Sequence, residues 1–162
     1  MDYEIKDNFL DQKEINYFRE TILSNNFPWF LTGVQSDEDP LHKQFVHIFY
    51  REDNFNTDYK ELLRPILNKL NPTAIHRIKV NLLTKTHNVV EPPFHTDHTS
   101  KDVSSSILYL NTNNGHTTFE DGTKIPSVAN TFVSFPSDIK HTGSTCTDEK
   151  FRGLINFNYI KN

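Results

Sequence analysis

Apolar residues recur at two different periods along this chain. In "LDQKEINYFRETILSNN", Ile15, Phe18 and Ile22 fall at helical spacing with Leu23 beside them, the stripe that an amphipathic helix buries. Asp11 followed by Glu14 fits a capping box, in which each side chain accepts a hydrogen bond from the other residue's backbone N–H. Asn25 and Asn26 end the helix. A second stripe, Leu62, Leu63, Ile66, Leu67 and Leu70, predicts a helix over about 57–70, shortened or kinked at Pro65.

Most of the remaining chain reads as strands. "KQFVHIFYR" is rich in β-branched and aromatic residues. From Thr73 onward, "AIHRIKVNLL", "SSSILYLN", "HTTFE", "TKIP", "NTFVSF" and "RGLINFNYI" are separated by Asn-Asn-Gly, Asp-Gly and Pro-Ser-Asp breaks. No internal repeat or low-complexity linker interrupts them. Helices followed by a strand-rich half predict an α+β, mainly β fold, with N-terminal helices outside one sheet of a sandwich or jelly roll. We expect a single domain over 1–162, with a helical N-terminal part at about 1–72 and a jelly-roll core at about 73–160.

The last strand carries a further signal. Arg152, Leu154, Asn156 and Asn158 share one face; Ile155, Phe157 and Tyr159 share the other with Gly153. An apolar face packed on the helices turns the polar set inward, which is costly unless something polar lies inside. The alternative is an edge strand with its polar face in water.

Composition narrows the chemistry. The chain has 162 residues, a formal net charge of −4 and one cysteine, Cys146. An intrachain disulfide or a thiolate metal cluster is excluded, so any metal must be held by His, Asp or Glu. The acidic start lacks the regions of a signal peptide, and no apolar run approaches a membrane span. A soluble, cytoplasmic protein without membrane association is expected. The negative balance disfavours nucleic acid.

One segment stands out, "PPFHTDHTSKD". His95 and Asp97 are two residues apart, so on an extended backbone both side chains reach the same face. His98, three along from His95, points away. Alone, a His-x-Asp pair in a loop is more often ordinary surface. As a metal site it needs a third ligand, with His42, His47, His76, His87, His116, His141 and the acidic residues as candidates. His141 follows a predicted strand and precedes the one carrying Arg152. Two histidines and a carboxylate on one face are the ligand set of non-haem Fe(II) oxygenases.

The order "HTD", "SSSILYLN", "GHTTF", "IPSVANTFVSFPSDIKH", "RGLINFNY" resembles the 2-oxoglutarate and Fe(II)-dependent oxygenases, within them the prolyl 4-hydroxylase-like group. His141 follows Asp97 by 44 positions and Arg152 follows His141 by 11, a spacing similar to that family's. The resemblance covers about 75–159. It implies a double-stranded β-helix (jelly roll) with Fe(II) on His95, Asp97 and His141. Arg152 and Tyr109 would hold the distal carboxylate of 2-oxoglutarate, which a guanidinium binds as a bidentate fork. Asn81 matches a polar position on the strand before His-x-Asp, and Asn156 lies on the inward face with Arg152.

The activity implied is a dioxygenase that uses O2 and 2-oxoglutarate to hydroxylate an unactivated C–H bond, with ascorbate as an allowed reductant. A protein or peptide side chain such as proline is the expected substrate, with a free amino acid or other small molecule as the alternative. The nucleic-acid-demethylating branch carries a second arginine where Asn158 stands. From another class, a non-catalytic jelly-roll binding protein and a cupin-like metalloenzyme compete. Oligomeric state is open.

Other residues attract weaker expectations. His116 reads as exposed, His42 and His47 as structural or surface residues, Trp29 and Phe30 as core. Phe94 reads as packing rather than substrate mouth. Lys101 and Asp102 sit in a loop placed to act as a lid. The acidic tract of "FLTGVQSDEDPLHKQ" would suit a basic partner, though a solvated loop is the plainer reading.

Overall fold

The computed structural model describes residues 3–34 and 42–162. In chain order these form β1 (Glu4–Lys6), α1 (Gln12–Ile22), β2 (Phe30–Gly33), β3 (Lys43–Arg51) and β4 (Asn54–Phe55). A 3-10 turn (Lys60–Leu63) runs into α2 (Arg64–Leu70). Then follow β5 (Ala74–Thr84), β6 (Val103–Tyr109), β7 (His116–Phe119), β8 (Lys124–Pro126), β9 (Phe132–Pro136), β10 (His141–Gly143) and β11 (Phe151–Ile160). The fold is mostly β and antiparallel, with few helices. The large sheet has the order β1-β9-β6-β11-β5-β3-β2, with β4 attached to β3; the small one has the order β10-β7-β8.

The first helix forms as its capping pattern predicts. Asp11 accepts from the Glu14 N–H at 2.9 Å and Glu14 accepts from the Asp11 N–H at 3.2 Å. Its apolar stripe packs on the large sheet: Ile15, Phe18 and Ile22 join Phe49, Val80, Ile155 and Phe157 in the main core cluster. Burial of each such side chain contributes roughly 1.5–3 kcal/mol, more than the cap, which is worth about 1 kcal/mol.

The second helix is shorter than the spacing suggested, with residues 57–59 outside it and 60–63 in the 3-10 turn. Pro65 lies in the first turn of α2, where a missing N–H costs nothing. Three short strands outside the sequence-predicted elements, β1, β2 and β10, and the two-residue β4 take part in the sheets. They are too short to show a period and exist because a partner edge is present. Residues 35–41, with most of the acidic tract, lie outside the described residues.

The register of the central strands positions the site. Along β5 and β11, Leu83 pairs with Arg152, Asn81 with Leu154, Lys79 with Asn156 and Arg77 with Asn158. These four rows present one face, opposite to Ile155, Phe157 and Tyr159, which lie in the core with the helices. The inward polar face expected of the last strand is therefore real. Among the described residues, no helix is long and apolar enough to cross a membrane.

Candidate active site

Between the sheets lies a cavity of about 210 Å³, lined by side chains from the β5 and β11 rows and by His95, Asp97, Thr117 and His141. His95 and His141 form an isolated antiparallel bridge. Each N–H donates to the other's carbonyl, at 3.0 and 2.9 Å. His95 therefore sits on extended backbone, but Asp97 lies in a bend rather than along a strand. Its N–H is held by the Ser137 carbonyl at 3.1 Å, and that anchor, not strand alternation, turns its carboxylate toward the two rings.

One ligand atom from each of His95, Asp97 and His141 lies within 4.8 Å of the others. His95 Nε2 is 3.9 Å from Asp97 Oδ1 and His141 Nε2 is 3.7 Å from Oδ2, too long for hydrogen bonds. His141 Nδ1 lies 3.0 Å from the Ile139 carbonyl; as the Nδ1–H form it donates there and leaves the Nε2 lone pair facing the group. Burial, reinforced by the neighbouring His141, lowers the His95 pKa to about 4. The Pro93 carbonyl pulls weakly the other way. A neutral His95 offers a lone pair at ordinary pH. The donor set and its spacing fit one divalent ion.

Asp97 is held from three sides. Ser105 donates to Oδ2 at 2.7 Å, Asn158 to Oδ2 at 3.2 Å and Arg77 Nη2 to Oδ1 at 3.2 Å. Arg77 Nε also donates to Asn158 Oδ1 at 3.1 Å. Burial works to raise the Asp97 pKa, but His141, Arg77 and the Ser105 hydrogen bond outweigh it and leave it lowered. The carboxylate is ionised and oriented.

At the other end of the cavity lies Arg152, 1% exposed. Nε donates to Ser127 Oγ at 2.6 Å and Nη2 to Thr117 Oγ1 at 3.1 Å. Burial lowers its pKa, yet a guanidinium stays charged. Among the described residues no carboxylate pairs with it. Room for it comes from two glycines: a Cβ on Gly115 would sit 2.6 Å from Arg152 Cδ, and one on Gly143 3.0 Å from Nη1.

Tyr109 is fully buried, and burial raises its pKa. Its hydroxyl donates to Thr117 Oγ1 at 2.8 Å. Thr117 was missed in the sequence, although it stands in "GHTTF"; it, rather than Tyr109, forms the cavity wall. With both lone pairs engaged by Tyr109 and Arg152, its own proton is left to donate. Asn81 lines the cavity, its Nδ2 donating to Gln44 Oε1 at 3.0 Å while Oδ1 is buried without a hydrogen-bond partner. Asn156 lines it too. Ser105, Asn158 and Arg77 carried no local signal as carboxylate supports, because their role depends on register.

The weaker expectations divide. His98 accepts from the Ser100 N–H at 3.0 Å and stands against His76, outside the triad. His47 is buried between the Pro28 carbonyl and Thr57, a structural residue. Trp29 packs on the core and bonds to the Ile22 carbonyl. Phe30, in contrast, is 62% exposed, and so is nearly half of Phe94. His116 is not simply exposed: its Nε2 lies 2.6 Å from Glu91 Oε1.

No protein-family model and no curated protein matches the sequence. Solved structures do match the fold. One is SnoN, a non-haem α-ketoglutarate-dependent epimerase from nogalamycin biosynthesis, at 13% identity and a TM-score of 0.69, over 98% of this chain and 78% of that one. A 2OG-Fe(II) oxygenase family oxidoreductase from Burkholderia pseudomallei matches at 15% identity and 0.68, over 99% and 86%. A Pseudomonas putida prolyl-4-hydroxylase matches at 15% and 0.60, over 99% and 92%. The chain has the fold of the 2-oxoglutarate/Fe(II) oxygenases. At this identity the likeness concerns the fold, and the chemistry rests on the site itself.

Proposed function

We propose that this chain is an Fe(II)- and 2-oxoglutarate-dependent dioxygenase, a single jelly-roll domain over 1–162 that hydroxylates an unactivated C–H bond. The observation that carries the reading is Arg152. A buried guanidinium that meets no carboxylate among the described residues is costly, and it lines the same cavity as a His-Asp-His group. A dicarboxylate whose other end chelates a metal satisfies both.

In this reading His95, Asp97 and His141 would hold Fe(II) as a set of two histidines and one carboxylate. Arg152 and Thr117 receive the distal carboxylate of 2-oxoglutarate, with Tyr109 fixing Thr117 from behind. Asn81 and Asn156 offer polar contacts along the keto acid. Ile107, Leu83 and Leu154 supply the apolar part of the cavity lining. When bound, Fe(II) and 2-oxoglutarate together supply oxidative decarboxylation by O2 coupled to C–H hydroxylation; ascorbate would serve only as a reductant of the metal. The protein's part is orientation and charge.

Likeness to a prolyl-4-hydroxylase supports a peptide or protein side chain as substrate; likeness to SnoN, an epimerase from nogalamycin biosynthesis, equally supports a small molecule. The test is anaerobic visible absorption as Fe(II) and then 2-oxoglutarate are added. A metal-to-ligand charge-transfer band is expected. Its absence from folded, metal-supplied protein would overturn the reading and favour a non-catalytic binding protein.

A further inference from the structure

One row of paired residues crosses four strands of the large sheet: Val46 on β3, Asn81 on β5, Leu154 on β11 and Tyr109 on β6. Leu154 divides the cavity into two sides. Arg152 takes its contacts from Ser127, Thr117 and the Tyr109 ring, so the distal carboxylate of the keto acid belongs on the Tyr109 side. The Asn81 side is walled by Asn81, Gln44 and Val34. Neither Gln44 nor Val34 has a part in holding metal or keto acid.

On that side the hydrogen bonds fix which way two amides point. The Gly33 and Val34 carbonyls can only accept, and Gln44 Nε2 donates to both at 3.3 Å. Gln44 Oε1 is therefore turned to Asn81, whose Nδ2 donates to it at 3.0 Å. Turning Asn81 over would set two acceptors against each other. Turning both amides over would set Gln44 Oε1 against two carbonyls. Asn81 Oδ1 is thus left as an acceptor, on a side chain only 6% exposed, buried and without a hydrogen-bond partner. That is unfavourable until a donor arrives. The keto acid brings none: it consists of acceptors and can use only the second hydrogen on Nδ2. A charged donor would be poorly solvated beside Val46 and Leu154, which flank Asn81 in its row.

We propose that Asn81 sets substrate specificity. Its Oδ1 accepts a hydrogen bond from a neutral donor on the substrate, an amide N–H or a hydroxyl, which lies on the β3 side of the keto acid. Gln44 is the positioning residue that keeps the Asn81 amide turned this way. The proposal rests on the oxygenase reading and narrows its substrate. A prolyl ring in peptide linkage carries no donor, so a peptide would bring the N–H of a neighbouring residue, and a small molecule would bring a hydroxyl.

The test uses protein that shows the charge-transfer band, so failure of the oxygenase reading is seen first and separately. Anaerobic protein with Fe(II) and saturating 2-oxoglutarate is titrated with two matched pairs. One is N-acetyl-L-proline N-methylamide against the N,N-dimethylamide; the other is cyclohexanol against its methyl ether. In at least one pair the donor-bearing member should shift the band at least about tenfold more tightly than its methylated partner. Preference in the amide pair points to a peptide, and in the alcohol pair to a hydroxylated small molecule. Gln44→Leu should keep the band and lose the preference, because a released amide can offer Nδ2 to the methylated partner. Asn81→Leu, with enough 2-oxoglutarate to restore the band, should lose it too. Equal response within both pairs, the result expected if an ordered water serves Oδ1, would overturn the proposal. So would no response to any probe, or a preference undiminished in either variant.

Discussion

His95 and His141 exchange both of their backbone hydrogen bonds, although 45 residues lie between them in the chain. A hydrogen-bonded antiparallel pair holds its side chains on one face at a fixed separation; here the ring centroids are 4.6 Å apart. Two of the three candidate metal ligands are thus positioned by main chain alone, whereas Asp97 is anchored by its N–H on the Ser137 carbonyl and has its carboxylate oriented by side-chain donors. This division of labour sets what substitutions should do.

Replacing Asp97 with alanine should remove metal binding, because the two histidines alone offer no anionic donor and Arg77 is left facing them. Ser105→Ala should be milder, a loss of about 10- to 100-fold in metal affinity, the usual cost of removing an outer support. Calorimetric titration with Fe(II) or Mn(II) distinguishes these. Unchanged affinity in Asp97→Ala would remove the triad from consideration.

Arg152→Met should leave the fold intact by circular dichroism and weaken 2-oxoglutarate. Truncating one partner of a buried charge pair costs about 2–5 kcal/mol, hence roughly 30-fold or more in dissociation constant. Thermal stabilisation by 2-oxoglutarate should vanish in parallel. A normal co-substrate response would show that the guanidinium has some other counter-charge.

The metal-free protein should lose stability as pH falls from about 6.5 toward 4. His95 has its folded pKa lowered to about 4 by burial, while the unfolded chain protonates near 6.5, so in that window the unfolded state binds more protons. His47, also lowered by burial, adds in the same direction. Urea melts at several pH values should show the decline, and His95→Gln should flatten but not abolish it. An equal slope in wild type and variant would mean that His95 is not held neutral.

Glu91 ties down the segment that delivers His95. Its Oε1 accepts from Thr118 at 2.6 Å and Lys124 at 3.2 Å and lies 2.6 Å from His116 Nε2. Those donors, the Thr118 hydroxyl foremost, lower its pKa to about 2, so the tie persists down through pH 4.5 and loosens only toward 2. Glu91→Gln should weaken metal binding a few-fold while barely moving the melting temperature. If hydrogen exchange at 89–95 is unaltered in that variant, Glu91 is a surface residue without a positioning role.

The sequence by itself determined the local pieces: the Asp11–Glu14 cap, the stripe of α1, the long strands, and the alternation that puts Arg152 and Asn156 on one face of β11 and Ile155 and Phe157 on the other. These follow from short-range periodicity, which one stretch of chain carries alone. The nearness of His95 and Asp97 was legible from their two-residue separation, although strand alternation is not what produces it. What tertiary structure decided is what lies across strands. Only register brings Arg77 and Asn158 onto Asp97, sets Thr117 between Tyr109 and the cavity, and places Lys79 one row from the metal side. Asp97 reached its position through the Ser137 carbonyl rather than through strand alternation, and the short strands β1, β2, β4 and β10 exist because an edge was there to pair with. A hydrogen-bond partner tens of residues away leaves no mark on the local pattern, so the ligands could be found in the sequence and their supports could not.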